Sequence, residues 1–316
     1  MQSSDAGFSL PEAMISLIIM LTITSIVATG LIKITQAHGT IWNRTEMHSS
    51  VRSATELLQQ EVGQAGLITL PAPVTLQTVV AAPGTATVTL SSVAGMFVGE
   101  QLTFDAGINQ ETAAITAIDT ANRQVTAAFT DTHVVNAPVS VLGGFANGIV
   151  PTTVANGSTA STLKLFGDIN GDGNMVYVEY WCDYMSGNLY RNVMPYDTKP
   201  EKKLKVTNSH ILLSNIIANP EDPVTKLIKP CFEYQKFPIT VNKTLFTFVL
   251  DVAVTLTVEA QDLDPIVKKE KQRETKALLN VSPRNVFNTW AYAGMGYTDR
   301  IQSTPASVVA LLPLVP

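Results

Sequence analysis

The chain has 316 residues, a formal net charge of −5, 15% charged residues and two cysteines. That length suits one membrane segment with one or two modest globular domains, and the acidic balance argues against nucleic acid as the main partner. Low charge, abundant Thr and Val, and 17 prolines fit a β-rich exported protein.

The first element is apolar. Residues 7–30 read GFSLPEAMISLIIMLTITSIVATG and hold one ionisable side chain, Glu12. The stretch is long enough to cross a bilayer. A carboxylate in hydrocarbon costs about 3 kcal/mol or more, so it calls for a dedicated partner. No Lys or Arg precedes Glu12, and the first to follow is Lys33, about six helical turns away. Cleavage after Gly7 would create a cation at the Phe8 amine, four residues before Glu12 and on the same helical face. It would also relieve Pro11, whose ring collides with the carbonyl four residues back, here that of Gly7.

Gly7-Phe8-Ser9-Leu10-Pro11-Glu12 followed by an apolar run resembles the cleavage site of type IV prepilins and type II secretion pseudopilins. The resemblance implies that residues 1–7 are a leader, and that a prepilin peptidase cuts between Gly7 and Phe8 and methylates the new amine. It also implies that Glu12 pairs with the Phe8 amine of a neighbouring subunit in a filament core. The leader itself has no Lys or Arg, whereas Lys33, Arg44 and Arg52 follow the apolar run. A charge count alone would place the N-terminus outside, an arrangement that calls the start codon into question.

Residues 8–66 are predicted to form one helix of roughly 85 Å, with a membrane segment at 13–32. Its second half is amphipathic: Val51, Ala54, Leu58, Val62 and Ala65 recur at three- and four-residue intervals, and Arg52, Glu56, Gln59, Gln60 and Glu61 fall largely on the other faces. Gly66 reads as the terminating glycine. Such a face needs a sheet to cover it.

Residues 71–144 differ in composition and read as a small inserted all-β domain. Its strands are TATVTL, EQLTF, TAAITAI and QVTAAF, separated by turns at DAGINQ and DTANRQ. The segment shows no cluster of His, Cys or carboxylates in sequence. Residues 145–316 carry the remaining strands. Met175–Trp181, Asn188–Val193 and Thr247–Ala260 have strand character, the last alternating Leu250, Val252, Val254, Leu256 and Val258 with polar residues. The expected class is α+β: a pilin fold with a long N-terminal helix on an antiparallel sheet and an inserted β-domain. The phrases LLQQEVGQAGL, GNLYR, ILLSNI and SPRNVF are similar to those of PilW-type minor pilins and the related J-type pseudopilins.

Asp168, Asn170, Asp172, Gly173 and Glu179 match the D-x-[DN]-x-[DN]-G-x₅-E calcium-loop pattern. Calcium would take side-chain oxygens from Asp168, Asn170 and Asp172, a carbonyl near Asn174 and a bidentate Glu179. The other reading is a turn made by Asn170-Gly171 and Asp172-Gly173 between two strands. Cys182 and Cys231 are an even pair in an exported chain, which suggests one bridge, with two buried thiols as the alternative. His38, His48, His133 and His210 are scattered and match no catalytic or zinc spacing. The basic clusters Lys199–Lys205 and Lys268–Lys276 alternate with Glu and read as solvated loops, and SVVALLPLVP at the end as an edge strand or packing tail. No residues argue for an enzyme.

The resemblance implies a minor pilin near the tip of a type IV pilus. Its expected partners are other pilins, prepilin peptidase and the inner-membrane assembly machinery. It would be a single-pass inner-membrane precursor before joining an extracellular or periplasmic filament. A J-type pseudopilin of a type II secretion system, or an adhesin or DNA-uptake pilin binding through the inserted domain, remain alternatives.

Overall fold

The structure is a computed structural model and describes residues 9–241, 243–267 and 270–313. Gly7 and Phe8 lie outside them. The protein is mixed α+β. In chain order its elements are α1 (Leu10–Gln64), β1 (Val74–Thr75), β2 (Gly84–Thr89), β3 (Gln101–Phe104), β4 (Glu111–Asp119), β5 (Gln124–Phe129) and β6 (Pro138–Val141). There follow β7 (Gly144–Phe145), β8 (Thr162–Gly167), β9 (Val176–Asp183), β10 (Asn188–Pro195), β11 (Ile211–Ser214), β12 (Ile216–Ile217), β13 (Phe232–Val241), β14 (Thr244–Leu263) and β15 (Lys271–Val281). The chain closes with α2 (Arg284–Gly294), β16 (Ile301–Gln302) and α3 (Ala306–Leu311). It divides into two compact units, Met1–Ser49 with Glu259–Glu274, and Ser50–Val258 with Thr275–Pro316.

In the first unit, every residue from Ser9 to Thr35 is exposed, and this stretch is long and apolar enough to cross a membrane. Most of its hydroxyls are paired within the helix. Ser16, Thr24, Thr29 and Thr35 donate to the carbonyls four residues back, at 2.8–2.9 Å, which satisfies them without water. The end of the β14–β15 hairpin runs beside the helix, tied by Thr40 to Asp264 and by His48 to Glu274.

In the second unit, Val51, Ala54, Leu58, Val62 and Ala65 of α1 are buried, while Arg52, Glu56, Gln59 and Gln60 are exposed. Glu61 departs from the expected pattern and is buried. The helix stops at Gln64, and Gly66, at φ +81°, turns the chain so that its N–H donates to the Phe166 carbonyl at 2.9 Å. A side chain there would be strained, and its Cβ would come within 2.8 Å of Val286.

Strands β1–β6 form a six-stranded sheet in the order β1-β6-β3-β4-β5-β2. Its core includes Leu90, Leu102, Phe104, Val125 and Phe129. A four-stranded antiparallel sheet follows, β11-β10-β9-β8, and a further sheet pairs β12, β13 and β15 with β14. The outer strand β8 is buried along its length. Residues 148–150 and Gly66 bond along it, which removes an exposed edge. The six-stranded sheet is tied to the rest of its unit through Phe97, in the loop before β3, which packs on Phe145 and Tyr196, and through Gln302 of β16, whose amide bonds Gln101 and Leu142.

Three features differ from the sequence expectation. The pairing of β7 with β16 is parallel, Ile301 opposite Gly144. Residues 284–294 form a helix with Val286, Thr289 and Ala293 buried, a three- and four-residue spacing that SPRNVF only begins. Of the two readings of the final segment, its described part, residues 307–313, is a packing tail and not an edge strand: α3 starts after Pro305 and buries Val308, Leu311 and Leu312 beside Phe145 and Phe166. That spacing is helical, and proline suits the start of a helix.

Candidate functional site

The first candidate is the head of α1. Ser9 is the residue before the helix and Glu12 is its third member. The Ser9 hydroxyl and N–H both donate to Glu12 Oε2, at 3.2 and 3.4 Å. This is the glutamate half of a capping box, with an acid in the first turn where the helix dipole favours it. Pro11 lies in the same first turn, where its missing N–H costs no helix bond.

The calcium ligand set does not assemble. Asp168 is buried, and its carboxylate is taken up by protein donors: Asp172 N–H at 3.0 Å, Gly173 N–H at 2.9 Å and the Thr69 hydroxyl at 2.5 Å. Asp172 in turn accepts from the Asn174 N–H at 2.9 Å, and Asn170 is exposed. With Gly171 and Gly173 at positive φ, the segment is the turn between β8 and β9. Glu179 is committed elsewhere. Among the described residues no group of three or more His, Cys, Asp and Glu is placed to hold a metal.

Glu179 lies on β9 opposite Lys164 of β8, on the same face as Tyr177, whose hydroxyl donates to it at 2.7 Å. Lys203 reaches it at 2.6 Å and Lys164 at 3.8 Å, and all three charged groups are buried. The basic run 199–205 is therefore not wholly a solvated loop. The two ammonium groups also cap the end of α3. Lys203 donates to the carbonyls of Leu311 at 2.5 Å and Pro313 at 2.8 Å, and Lys164 to those of Leu312 at 2.5 Å and Asn156 at 2.7 Å. Cations at a helix C-terminus satisfy its free carbonyls and oppose its dipole. Burial pulls the Lys164 amine down to about 8, with Lys203 adding to the fall and Glu179 resisting it.

A second buried cluster fixes α1. Glu61 accepts both Nε and Nη2 of Arg191 on β10, the Nε contacts being 3.1 and 3.2 Å, and also the Tyr180 hydroxyl from β9. Burial pushes the Tyr180 phenol up, and the Glu61 charge adds to it. On Arg191, burial lowers the pKa but is outweighed by the bonds and charge of Glu61, so it ends raised.

The six-stranded sheet holds a third cluster, against the expectation of none. His133 is fully enclosed, with Nε2 at 2.6 Å from Glu111 and Nδ1 at 3.6 Å from Asp105. Burial raises the Glu111 carboxyl, but the bonds from Thr130 and His133 outweigh it and hold it below its ordinary value. The three lie at 105, 111 and 133, a dispersal that sequence spacing does not reveal. Just before β3, at the other end of the β3–β4 pair, Glu100 is buried with Oε2 accepting the Phe97 N–H at 3.1 Å and Oε1 without a partner. Desolvation drives its carboxyl up to about 8 against that one bond.

Cys182 on β9 and Cys231 before β13 are joined by a disulfide, with Cα atoms 6.5 Å apart. It links two sheets, and the Tyr184 hydroxyl lies 3.1 Å from Cys231 Sγ. No protein-family model, curated protein or solved structure matches this chain.

Proposed function

We propose that this chain is a minor-pilin-type subunit, cut between Gly7 and Phe8, anchored by residues 13–32 and incorporated near the tip of a type IV pilus. The observation that supports the reading most is α1 itself. One unbroken helix carries an uncovered apolar half and then a half whose apolar face is buried. A plain anchor needs only the first half.

The proposed role is structural. Before assembly, the precursor sits in the inner membrane. In the filament, the Phe8 amine of one subunit meets Glu12 of its neighbour, and two charges that are costly in a low-dielectric core neutralise each other. Other pilins, prepilin peptidase and an inner-membrane assembly machine are the partners this requires. Mass spectrometry of filament-derived protein should find a methylated Phe8 terminus, and Glu12→Ala should be processed yet poorly incorporated. Assembled filaments carrying an intact Met1 terminus would overturn the reading.

A further inference from the structure

The end of the β14–β15 hairpin is unusual for a turn. Hairpin ends are normally built from small polar residues, yet Leu263, Ile266 and Val267 stand 53%, 59% and 56% exposed. The turn is nonetheless firmly built. Asp264 accepts from the N–H groups of Ile266 at 2.8 Å and Val267 at 3.3 Å and from the Gln272 amide at 2.6 Å, and its own N–H donates to the Glu270 carbonyl at 3.0 Å. Hydrogen bonds from Gln272, Ile266 and Thr40 hold its carboxyl down to about 2. Three apolar side chains are thus exposed beside a set of bonds centred on Asp264.

Two contacts fix which way the hairpin points along α1. His48 Nδ1 lies 3.2 Å from Glu274, and the Thr40 hydroxyl donates to Asp264 at 3.0 Å. The chain therefore advances toward the apolar half of the helix as it nears its turn. Pro265 closes the approach: a Cβ on Gly39 would lie 2.9 Å from its Cγ. Gly39 is six residues past Lys33, the first charge after the apolar run, so the turn ends about 9 Å from that charge along the axis. A headgroup layer is about 5–8 Å deep on each side of the hydrocarbon, and apolar side chains reach several ångströms beyond the backbone. Lys33 and Arg44, exposed on the same stretch of helix, suit the same layer, where their stems lie in apolar surroundings and their heads meet phosphates.

We propose that Leu263, Ile266 and Val267 dock into the headgroup layer of the bilayer that α1 crosses. The hairpin then acts as a second foot that fixes how far the helix is drawn into the membrane. This rests on the reading of α1 as a membrane span.

The full chain provides the test, because both of its own cysteines are joined to each other and an introduced cysteine is the sole free thiol. Ile23→Cys and Val267→Cys would each carry an environment-sensitive fluorophore in vesicles of phosphatidylcholine and phosphatidylglycerol, with Ile108→Cys as an exposed reference. Spin-labelled lipids would quench from the headgroup or from deep in the acyl chains. The expected result is deep quenching at Ile23, and headgroup quenching at Val267 at least twofold above Ile108. Deep quenching at Ile23 with none above reference at Val267 overturns the docking and leaves the span intact. Loss of quenching at Ile23 overturns the span and the docking with it. Protection of Val267 that appears only as protein per vesicle is raised assigns the surface to a second copy and overturns the lipid reading.

Discussion

Lys164 and Lys203 share one carboxylate, Glu179, in a buried site, and removing that carboxylate strands two cations. Breaking a buried pair in this way costs about 3–5 kcal/mol. Glu179→Gln should therefore lower Tm by roughly 6–20 °C, and Lys203→Met in the same chain should recover part of the loss, both read by thermal melts in detergent. Glu100 gives a pH signature. A carboxyl raised on folding stabilises at low pH, and that contribution is lost as pH rises through the folded value. For Glu100 the window runs from 4.5 to about 8. Stability should fall across it, and Glu100→Gln should flatten the slope and exceed the parent in Tm at pH 9. An unchanged slope would show that Glu100 is not the group responsible. The same residues show why the calcium pattern misleads. The spacing from Asp168 to Glu179 is right for a loop, but β9 begins at Val176, and strand parity sends Glu179 to the face that Lys164 and Tyr177 occupy. A linear pattern carries no information on that parity.

Among the elements, those with strong periodicity were legible from the amino acids. The alternation in β14 and in β2–β5 placed those strands to within a few residues, and the three- and four-residue recurrence from Val51 to Ala65 marked the buried face of α1. The missed elements include α2 and α3, which are short and begin beside Pro283 and Pro305, where a proline reads equally as a loop, and the strands β8, β13 and β15, the last beginning inside a basic run that read as a solvated loop. Side-chain clusters drawn from separate strands, such as Asp105, Glu111 and His133, were not legible because register between strands decides them. The disulfide makes an element-level prediction. It closes a separation of 49 residues between β9 and the start of β13, worth about 3–4 kcal/mol on the chain-entropy model. Reduction should lower Tm, and Cys182→Ser should lower it about as much while removing any further response to reductant. Glu61→Gln tests the other inter-element tie. It keeps the volume but weakens the charged bonds to Arg191, so it should destabilise by about 1–3 kcal/mol, with Arg191→Met adding less than its own separate effect if the two form one unit.

For the whole molecule, the mixed α+β class with its long N-terminal helix was readable, but sheet order was not. Nothing in sequence spacing announces that β6 lies between β1 and β3, or that β7 pairs with a strand from residue 301. Those pairings also fix a schedule. The carbonyls that Lys164 and Lys203 require come from Leu311, Leu312 and Pro313, and Gln302 supplies the bonds that join Gln101 to Leu142. Without residues 301–313, Lys203 lacks both of its carbonyl acceptors and Lys164 keeps only that of Asn156. Long-range closure of this kind is slow because the loop entropy must be overcome before any contact rewards it. The buried cations of β8 and of the run after β10 therefore gain their full set of partners only when α3 docks, which makes that docking a late, long-range step.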